Sequence, residues 1–192
     1  MSLRALFRHF REMPNYFIAS TLVFVAGIVL GYADSDRFEA LLQSQLEGLG
    51  KLAQEIAQKD HSVLWLFGFI FLNNVIKSIL IVFAGVFFGV LPIGFLLING
   101  MLIGYLAALQ AEGGQLAFFF KGIIPHGIIE IPAIIIASAY GIKLGAIMAK
   151  GLFRLISLNG RQRFADELER FMKLAVPLVG LLAVSLLVAA VN

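Results

Sequence analysis

The chain has 192 residues, of which 60% are hydrophobic and only 14% are charged. That apolar content exceeds what a soluble domain of this size can bury, so the composition predicts a polytopic membrane protein. The formal net charge of +3 is small, and the basic residues lie mostly between apolar runs. This distribution fits membrane topology and gives no reason to expect nucleic-acid binding. Because cysteine is absent, disulfides, thiolate nucleophiles and cysteine-ligated metals are excluded.

Five apolar segments follow one another along the chain. They lie at 16–32, 63–90, 93–109, 118–140 and 174–191. Each is long enough to cross a bilayer core of about 30 Å as a helix. The first has a tyrosine at each end and is predicted to be a retained span rather than a signal peptide. The sequence therefore predicts a single all-α membrane domain, a helical bundle of about five transmembrane segments.

Two polar segments are predicted to be helices outside the bilayer core. In 35–60, apolar residues recur at helical spacing, which is typical of an amphipathic helix. These apolar residues are Phe38, Leu42, Leu46, Leu49, Leu52 and Ile56. Their stripe favours either self-association, with a homodimer as the preferred oligomer, or contact with lipid headgroups. The second segment, 143–173, is basic and is predicted to be a helix at the membrane interface, against anionic lipids.

The distribution of basic residues predicts the orientation. Ten of them fall on one side of a five-span arrangement: Arg4, Arg8, Arg11, Lys143, Lys150, Arg154, Arg161, Arg163, Arg170 and Lys173. Four fall on the other side: Arg37, Lys51, Lys59 and Lys121. The chain is expected to be an integral protein of the plasma membrane. By the positive-inside rule, its N-terminus is expected in the cytoplasm and its C-terminus on the extracytoplasmic side. Segment 35–60 is then extracytoplasmic, and 143–173 is cytoplasmic.

The fourth apolar segment contains ionisable residues between two prolines. The residues in question are Pro125, His126, Gly127, Glu130 and Pro132. A carboxylate at the centre of a spanning helix costs about 2.5–3.5 kcal/mol on insertion scales, so Glu130 needs a partner or a watery cavity. Each proline removes a backbone donor and strains the preceding turn. The pattern predicts a proline-broken or re-entrant segment at 122–132.

Depth in the membrane indicates which polar groups meet. With a rise of about 1.5 Å per residue, Asn73 and Asn74 lie about 17 Å from the outer surface and Glu130 about 14 Å. Lys77 and Asn99 share a level at about 20–22 Å, and the long lysine side chain is expected to reach Glu130. We therefore hypothesise a midplane polar site of Asn73, Asn74, Lys77, Asn99 and Glu130, with His126 nearer the outer mouth.

Small residues and prolines mark close helix packing and chain reversal. Gly89 and Pro92 are expected to form a tight return between the second and third spans. The third span carries small residues at the spacing that permits close helix approach: Gly94, Gly100, Gly104 and Ala108. The segment 89–97 also matches 122–130 in glycine, proline and apolar positions at an offset of 33 residues. Because the two copies are expected to enter from opposite faces, they form a candidate inverted repeat.

The same polar residues have simpler interpretations. Polar side chains within spans often serve only to join helices. His126 and Glu130 are spaced as metal ligands on one helical face, but no third strong ligand is apparent, so no metal is expected. Ser78 and Ser138 have no recognisable catalytic base or elbow motif. No phosphate loop or dinucleotide fingerprint is present, so neither a cofactor nor an enzymatic activity is expected.

The strings Asn73-Asn74, Asn99-Gly100 and Pro125-His126-Gly127 with Glu130 and Pro132 resemble the stage II sporulation protein M family. The resemblance covers roughly 69–151 well and the rest by topology. It implies a five-span membrane protein with its N-terminus inside. It also implies a scaffold that helps to place peptidoglycan-degrading partners at the septal membrane during engulfment, although many relatives lie outside spore formers.

Two classes of function follow from these observations. As a scaffold, the chain would dock envelope or cytosolic proteins on 34–60 and on the helix around 161–173. As a small channel or secondary transporter, it would pass a proton, ion or small polar solute through the midplane site at Glu130. A scaffold tolerates Glu130→Gln when the fold is kept, whereas a conduit does not.

Overall fold

The computed structural model describes residues 3–34, 62–154 and 158–191, together with 38–40, 43–44, 47–48, 50–51, 54–55 and 58. The three long stretches contain six helices: α1 Leu3–Arg11, α2 Pro14–Ala33, α3 Ser62–Ala84, α4 Val90–Glu112, α5 Leu116–Arg154 and α6 Leu158–Val191. The described part of the chain contains no strand, and the all-α prediction is confirmed. Five of the helices, α2 to α6, are long and apolar enough to cross a membrane.

In the segment between α2 and α3, the described residues are helical except at positions 34 and 58. Phe38 packs against a small cluster formed by Met101 and Tyr105 of α4. The remaining members of the predicted apolar stripe lie outside the described residues: Leu42, Leu46, Leu49, Leu52 and Ile56.

A tight turn at residues 85–89 joins α3 to α4. Gly89 adopts a left-handed conformation, with φ of 78°, at the start of α4. Pro92 lies in the first turn of α4, where its missing N–H has no intrahelical partner to lose. The chain reversal predicted at 89–92 therefore lies a few residues earlier, at 85–89. Gly89 is the last residue of the turn, and Pro92 belongs to the first turn of α4.

Successive spans run in opposite directions. The beginning of α4 meets the middle of α5, where Pro92 lies beside Gly141. Met13, just before α2, lies beside Lys143 of α5. Phe171, near the start of α6, packs on Tyr140 of α5. The starts of α2, α4 and α6 therefore share one end of the bundle, which is also where the ten basic residues predicted to be cytoplasmic lie.

Helices α2 and α4 are parallel and approach each other closely at glycines. Gly27 and Gly31 of α2 face Gly100 and Gly104 of α4. A Cβ built on Gly27 would lie 2.5 Å from the backbone oxygen of Leu97. Only glycine leaves room for backbones at this separation, so the small residues predicted at 100 and 104 set the helix contact.

Helices α3 and α5 form a second parallel pair, and its close contact runs from Ile81 of α3 into the turn at 85–89. Gly85 lies against Gly141, and Gly89 lies against Gly145. This pair runs opposite to α2 and α4. Gly100 and Gly104, the contact glycines of α4, precede Gly141 and Gly145, the contact glycines of α5, by 41 positions. The repeat found in the sequence has a different offset, of 33 positions. Moreover, 89–97 forms a turn and helix start, while 122–130 lies inside α5, so the two copies differ in local structure.

The predicted break or re-entrant turn at 122–132 is wrong, because α5 is one continuous helix of 39 residues. Pro125 and Pro132 are seven residues apart and so lie on nearly the same face of the helix. Each removes one backbone hydrogen bond there, while the rest of the ladder holds the helix together. Prolines occur within membrane-spanning helices where local adjustments or nearby groups satisfy the freed backbone carbonyls.

Segment 143–173 is not a single helix on the lipid surface. Residues 143–154 continue α5 and residues 158–173 begin α6, and we call these two stretches the charged hairpin. Some of its apolar side chains face the protein: Phe164 contacts Gly151, and Phe171 packs on Tyr140. Leu152, Phe153 and Met172 are exposed. The single interfacial helix predicted there is therefore the ends of two helices, and the inward apolar side chains of α6 are covered by α5.

We expect Gly31→Ala to lower the free energy of unfolding by about 1–3 kcal/mol, because the new methyl group would collide with the backbone of Met101. Gly180→Ala is the matched control, since a Cβ there meets nothing within 4 Å. Alanine is the better helix former, so the control should be neutral or stabilising by up to about 1 kcal/mol. Reversible unfolding of the full chain in mixed micelles measures both, and equal effects would contradict the close α2–α4 approach.

Candidate functional site

The polar contact at mid-span joins α3 to α5. The Asn74 Nδ2 donates a hydrogen bond to Glu130 Oε1 at 2.9 Å. Both side chains are half-buried, and the glycine contacts of the same two helices lie three turns further along. Two of the residues that depth alone predicted to meet are therefore brought together.

The other members of the predicted site are arranged differently. Asn73 is half-buried beside Asn74. Lys77 is exposed, and within the described part of the chain no ion pair connects it to Glu130. Asn99 Nδ2 donates to the backbone oxygen of Phe95 in its own helix, at 2.8 Å. The side chain of His126 lies outside the described part of the structure.

Chemically, the Asn74–Glu130 contact is an interhelical clamp. An amide donor on an acidic oxygen satisfies part of the hydrogen-bonding demand that makes a carboxyl group costly in hydrocarbon. Such contacts contribute about 0.6 kcal/mol on average and up to about 1.7 kcal/mol in membrane proteins. The clamp and the glycine contacts together hold α3 against α5.

A second polar cluster, which the sequence did not predict, lies at the basic end of the bundle. Helix α1 turns Leu6 and His9 inward and its arginines outward. His9 is only 3% exposed, and its Nε2 lies 2.8 Å from Lys143 Nζ. Its Nδ1 lies 3.4 Å from Glu12 Oε2. Arg170 of α6 donates to the same Glu12 oxygen at 2.5 Å.

These contacts assign the tautomer of His9. A lysine ammonium can only donate, so Nε2 of His9 accepts from Lys143 and the ring proton lies on Nδ1, facing Glu12. Burial lowers the pKa of His9 below its ordinary value, and the charge of Lys143 lowers it further, against the opposing hydrogen bond with Glu12. The ring is therefore neutral at pH 7.

The carboxyl group of Glu12 is stabilised in its charged form. Desolvation acts to raise the pKa of Glu12, but the Arg170 guanidinium and the hydrogen bonds from His9 and Arg170 outweigh it. The net result is a pKa of Glu12 below its ordinary value. The cluster thus contains a neutral imidazole between an ammonium and an ionised carboxylate.

A cavity of about 250 Å³ opens beside this cluster, and we call it the basic cavity. It is lined by His9, Glu12, Tyr16, Lys143, Ala146, Ile147, Lys150, Glu167, Arg170 and Phe171. A second cavity, of about 330 Å³, has a mainly apolar lining from α1, α5 and α6. Neither lining includes Asn74, Lys77 or Glu130. Among the described residues, no group of three or more His, Cys, Asp or Glu side chains is placed to hold a metal ion.

The signal for the second cluster was present in the sequence. Leu6, His9, Phe10 and Met13 have the i, i+3, i+4, i+7 spacing of one helix face, which predicts that His9 points inward. Its partner, Lys143, is 134 positions away and could not be identified from spacing.

Comparison with known proteins gives one match. The family model described as stage II sporulation protein M matches residues 20–191, which include most of α2 and the whole of α3 to α6. No curated protein and no solved structure matches the chain. The matched range begins after α1, so His9 and Glu12 lie outside it, whereas Lys143 and Arg170 lie within it.

We expect a double-mutant cycle to separate the two proposed partners of Glu130. Asn74→Ala combined with Glu130→Ala should show a coupling of about 0.6–1.7 kcal/mol in the free energy of unfolding, because the pair is hydrogen-bonded. Lys77→Met combined with Glu130→Gln should be additive within about 0.5 kcal/mol, because the structure does not join these side chains. Strong coupling in the second cycle would restore the Lys77–Glu130 ion pair.

We also expect stability to depend on the protonation of His9. Because folding lowers the pKa of His9, its contribution is complete above the ordinary value of about 6.5 and is lost as the pH falls through the lowered pKa. The contribution of Glu12, whose pKa is also lowered, is lost only at more acidic pH. Unfolding followed from pH 8 to pH 5 should show this decline in the wild type and a flatter profile in His9→Gln. Identical profiles would contradict the assignment.

Proposed function

The chain belongs to the stage II sporulation protein M family, and from that premise we propose that it is a non-enzymatic membrane scaffold for envelope or cell-wall remodelling partners. The five spans provide the anchor. The observation that carries the proposal is the charged hairpin. Its two stretches belong to helices of 39 and 34 residues, which are about 58 and 51 Å long and therefore exceed the bilayer core of about 30 Å.

The charged hairpin is suited to docking because its shape is fixed internally. Arg154 of α5 forms an ion pair with Glu167 of α6 at 2.9 Å, and Phe164 packs on Gly151. Charged residues occupy much of the outer surface, beside the exposed side chains of Leu152, Phe153 and Met172. Those exposed on α6 are Arg161, Arg163, Asp166, Glu167, Glu169, Arg170 and Lys173. A rigid charged surface loses little conformational entropy when a partner binds.

In this account the charged hairpin faces the cytoplasm, as the positive-inside rule predicts, and segment 34–60 offers a second docking surface outside. Association of two copies through that segment would present two hairpins together. The bilayer and the docked proteins are the partners, and no cofactor is involved.

One observation favours a second candidate, a small channel or secondary transporter. Glu130 and Asn74 place a titratable group on a helix contact at membrane depth, and such groups mark proton and ion pathways in other proteins. For the scaffold, the same contact is a clamp that Glu130→Gln preserves, because a glutamine side-chain oxygen also accepts from Asn74.

The two functions predict different results for full-length protein in two assays. In proteoliposomes, we expect no proton, sodium, potassium or chloride flux from either wild type or Glu130→Gln. Flux that is lost in a folded Glu130→Gln variant would establish the conduit. In cells, we expect single-particle tracking to show confined diffusion, because a scaffold is held by envelope partners.

A change on the outer surface of the charged hairpin should release that confinement. We expect Arg161→Glu combined with Arg163→Glu to increase the diffusion coefficient several-fold, since both side chains are exposed on the outer surface of the hairpin. Lys121→Glu, an exposed residue at the opposite end of the bundle, is the matched charge reversal and should diffuse like wild type. Free diffusion of the wild type would contradict the scaffold.

A further inference from the structure

The basic cavity contains cations that the protein itself neutralises only in part. Lys143 contacts the neutral ring of His9 and the sulfur of Met13, at 2.8 Å and 3.9 Å. Within the described part of the chain, neither Lys143 nor Lys150 forms an ion pair with a carboxylate. The two lysines are seven residues apart on α5 and line the same cavity. A half-buried ammonium without a counter-ion is costly, so the site favours an anion.

The two acidic residues in the lining do not replace that anion. Glu12 is paired with Arg170 at 2.5 Å, and Glu167 with Arg154 at 2.9 Å. Counting the lining side chains with His9 neutral, three cations face two carboxylates, and one of those carboxylates is paired with Arg154, which lies outside the lining. The positive charge of the basic cavity is therefore only partly balanced.

Donors remain available to a ligand. A lysine ammonium has three N–H bonds, and those of Lys143 that face His9 and Met13 leave one for the cavity. Arg170 has five N–H donors, of which the contact with Glu12 uses one. Tyr16 and Lys150 add further donors at the cavity wall. Several separate donors around a small volume suit an anion with several oxygens.

We propose that the basic cavity binds a phosphate group, carried either by an anionic phospholipid headgroup or by a small soluble phosphate compound. Its volume of about 250 Å³ lies below the range of about 300–1,000 Å³ typical of sites for drug-sized ligands, so the cavity takes a headgroup-sized molecule. Lysine binds phosphate as a point charge and arginine through directed donors. His9 is a positioning residue, because it directs the Lys143 ammonium while remaining uncharged.

The test uses the purified full chain in maltoside micelles free of phosphate and lipid. In one arm, glycerol 3-phosphate is titrated and its binding followed by calorimetry. In the other arm, phosphatidylglycerol is added to the micelles and adducts are counted by native mass spectrometry. Both arms compare wild type with Lys143→Gln, Lys150→Gln and the control Arg163→Gln, which removes the same charge from an exposed position outside the cavity.

We expect saturable one-site binding in at least one arm, and the arm in which it occurs identifies the source of the phosphate group. Lys143→Gln should weaken binding about tenfold, which corresponds to the loss of one charge-assisted contact of about 1.4 kcal/mol. Lys150→Gln should weaken binding about threefold, because ion pairs that involve exposed side chains contribute less. Arg163→Gln should match wild type.

Three results overturn the proposal: no saturable binding in either arm, equal weakening by Arg163→Gln and Lys150→Gln, or unchanged binding in Lys150→Gln. Lys150 is exposed, so its variant keeps the fold and the test holds even where Lys143→Gln fails to fold.

Discussion

Close approach of helix backbones at facing glycines is the constraint on which the rest of this structure depends. Lipid tails are as apolar as leucine side chains, so helices in a bilayer associate through van der Waals packing and interhelical hydrogen bonds rather than through the hydrophobic effect. Gly27 and Gly31 against α4, and Gly85 and Gly89 against α5, supply that packing in two parallel pairs of opposite direction. Because α5 also packs on α6, it connects the second pair to the charged hairpin.

The close helix contacts also explain where the polar contacts form. Once Gly85 and Gly141 bring α3 and α5 together, Asn74 and Glu130 lie within hydrogen-bond distance, and the clamp adds directional specificity to a contact that van der Waals packing already holds. At the basic end, α1 folds its apolar face onto the bundle and places His9 beside Lys143. The Asn74–Glu130 contact stabilises the membrane-spanning helices, while the charged hairpin and the basic cavity place charged groups at the protein surface.

Features that depend on hydropathy and on depth in the membrane could be predicted from the sequence. The direction in which a side chain points around its helix axis, and contacts between residues far apart in the chain, could not. Five apolar segments and the meeting of Asn74 with Glu130 followed from length and rise per residue. Lys77 has a suitable depth, but it lies three residues from Asn74, about 60° around the helix, and is exposed. The two prolines predicted a break because each removes a backbone hydrogen bond, but the remaining hydrogen bonds keep α5 continuous. His9 and Lys143 meet only through the tertiary fold.

The central claim is that Glu130 lies on a closed helix contact and does not line an aqueous path. Because the chain has no cysteine, a single Asn74→Cys substitution can be tested with a membrane-impermeant thiol reagent from each side of sealed vesicles. Glu167→Cys, at an exposed position on the charged hairpin, is the positive control. We predict that Asn74→Cys is unreactive from both sides, while Glu167→Cys reacts from the cytoplasmic side only. Labelling of Asn74→Cys by the impermeant reagent would show water at mid-span and would contradict the account.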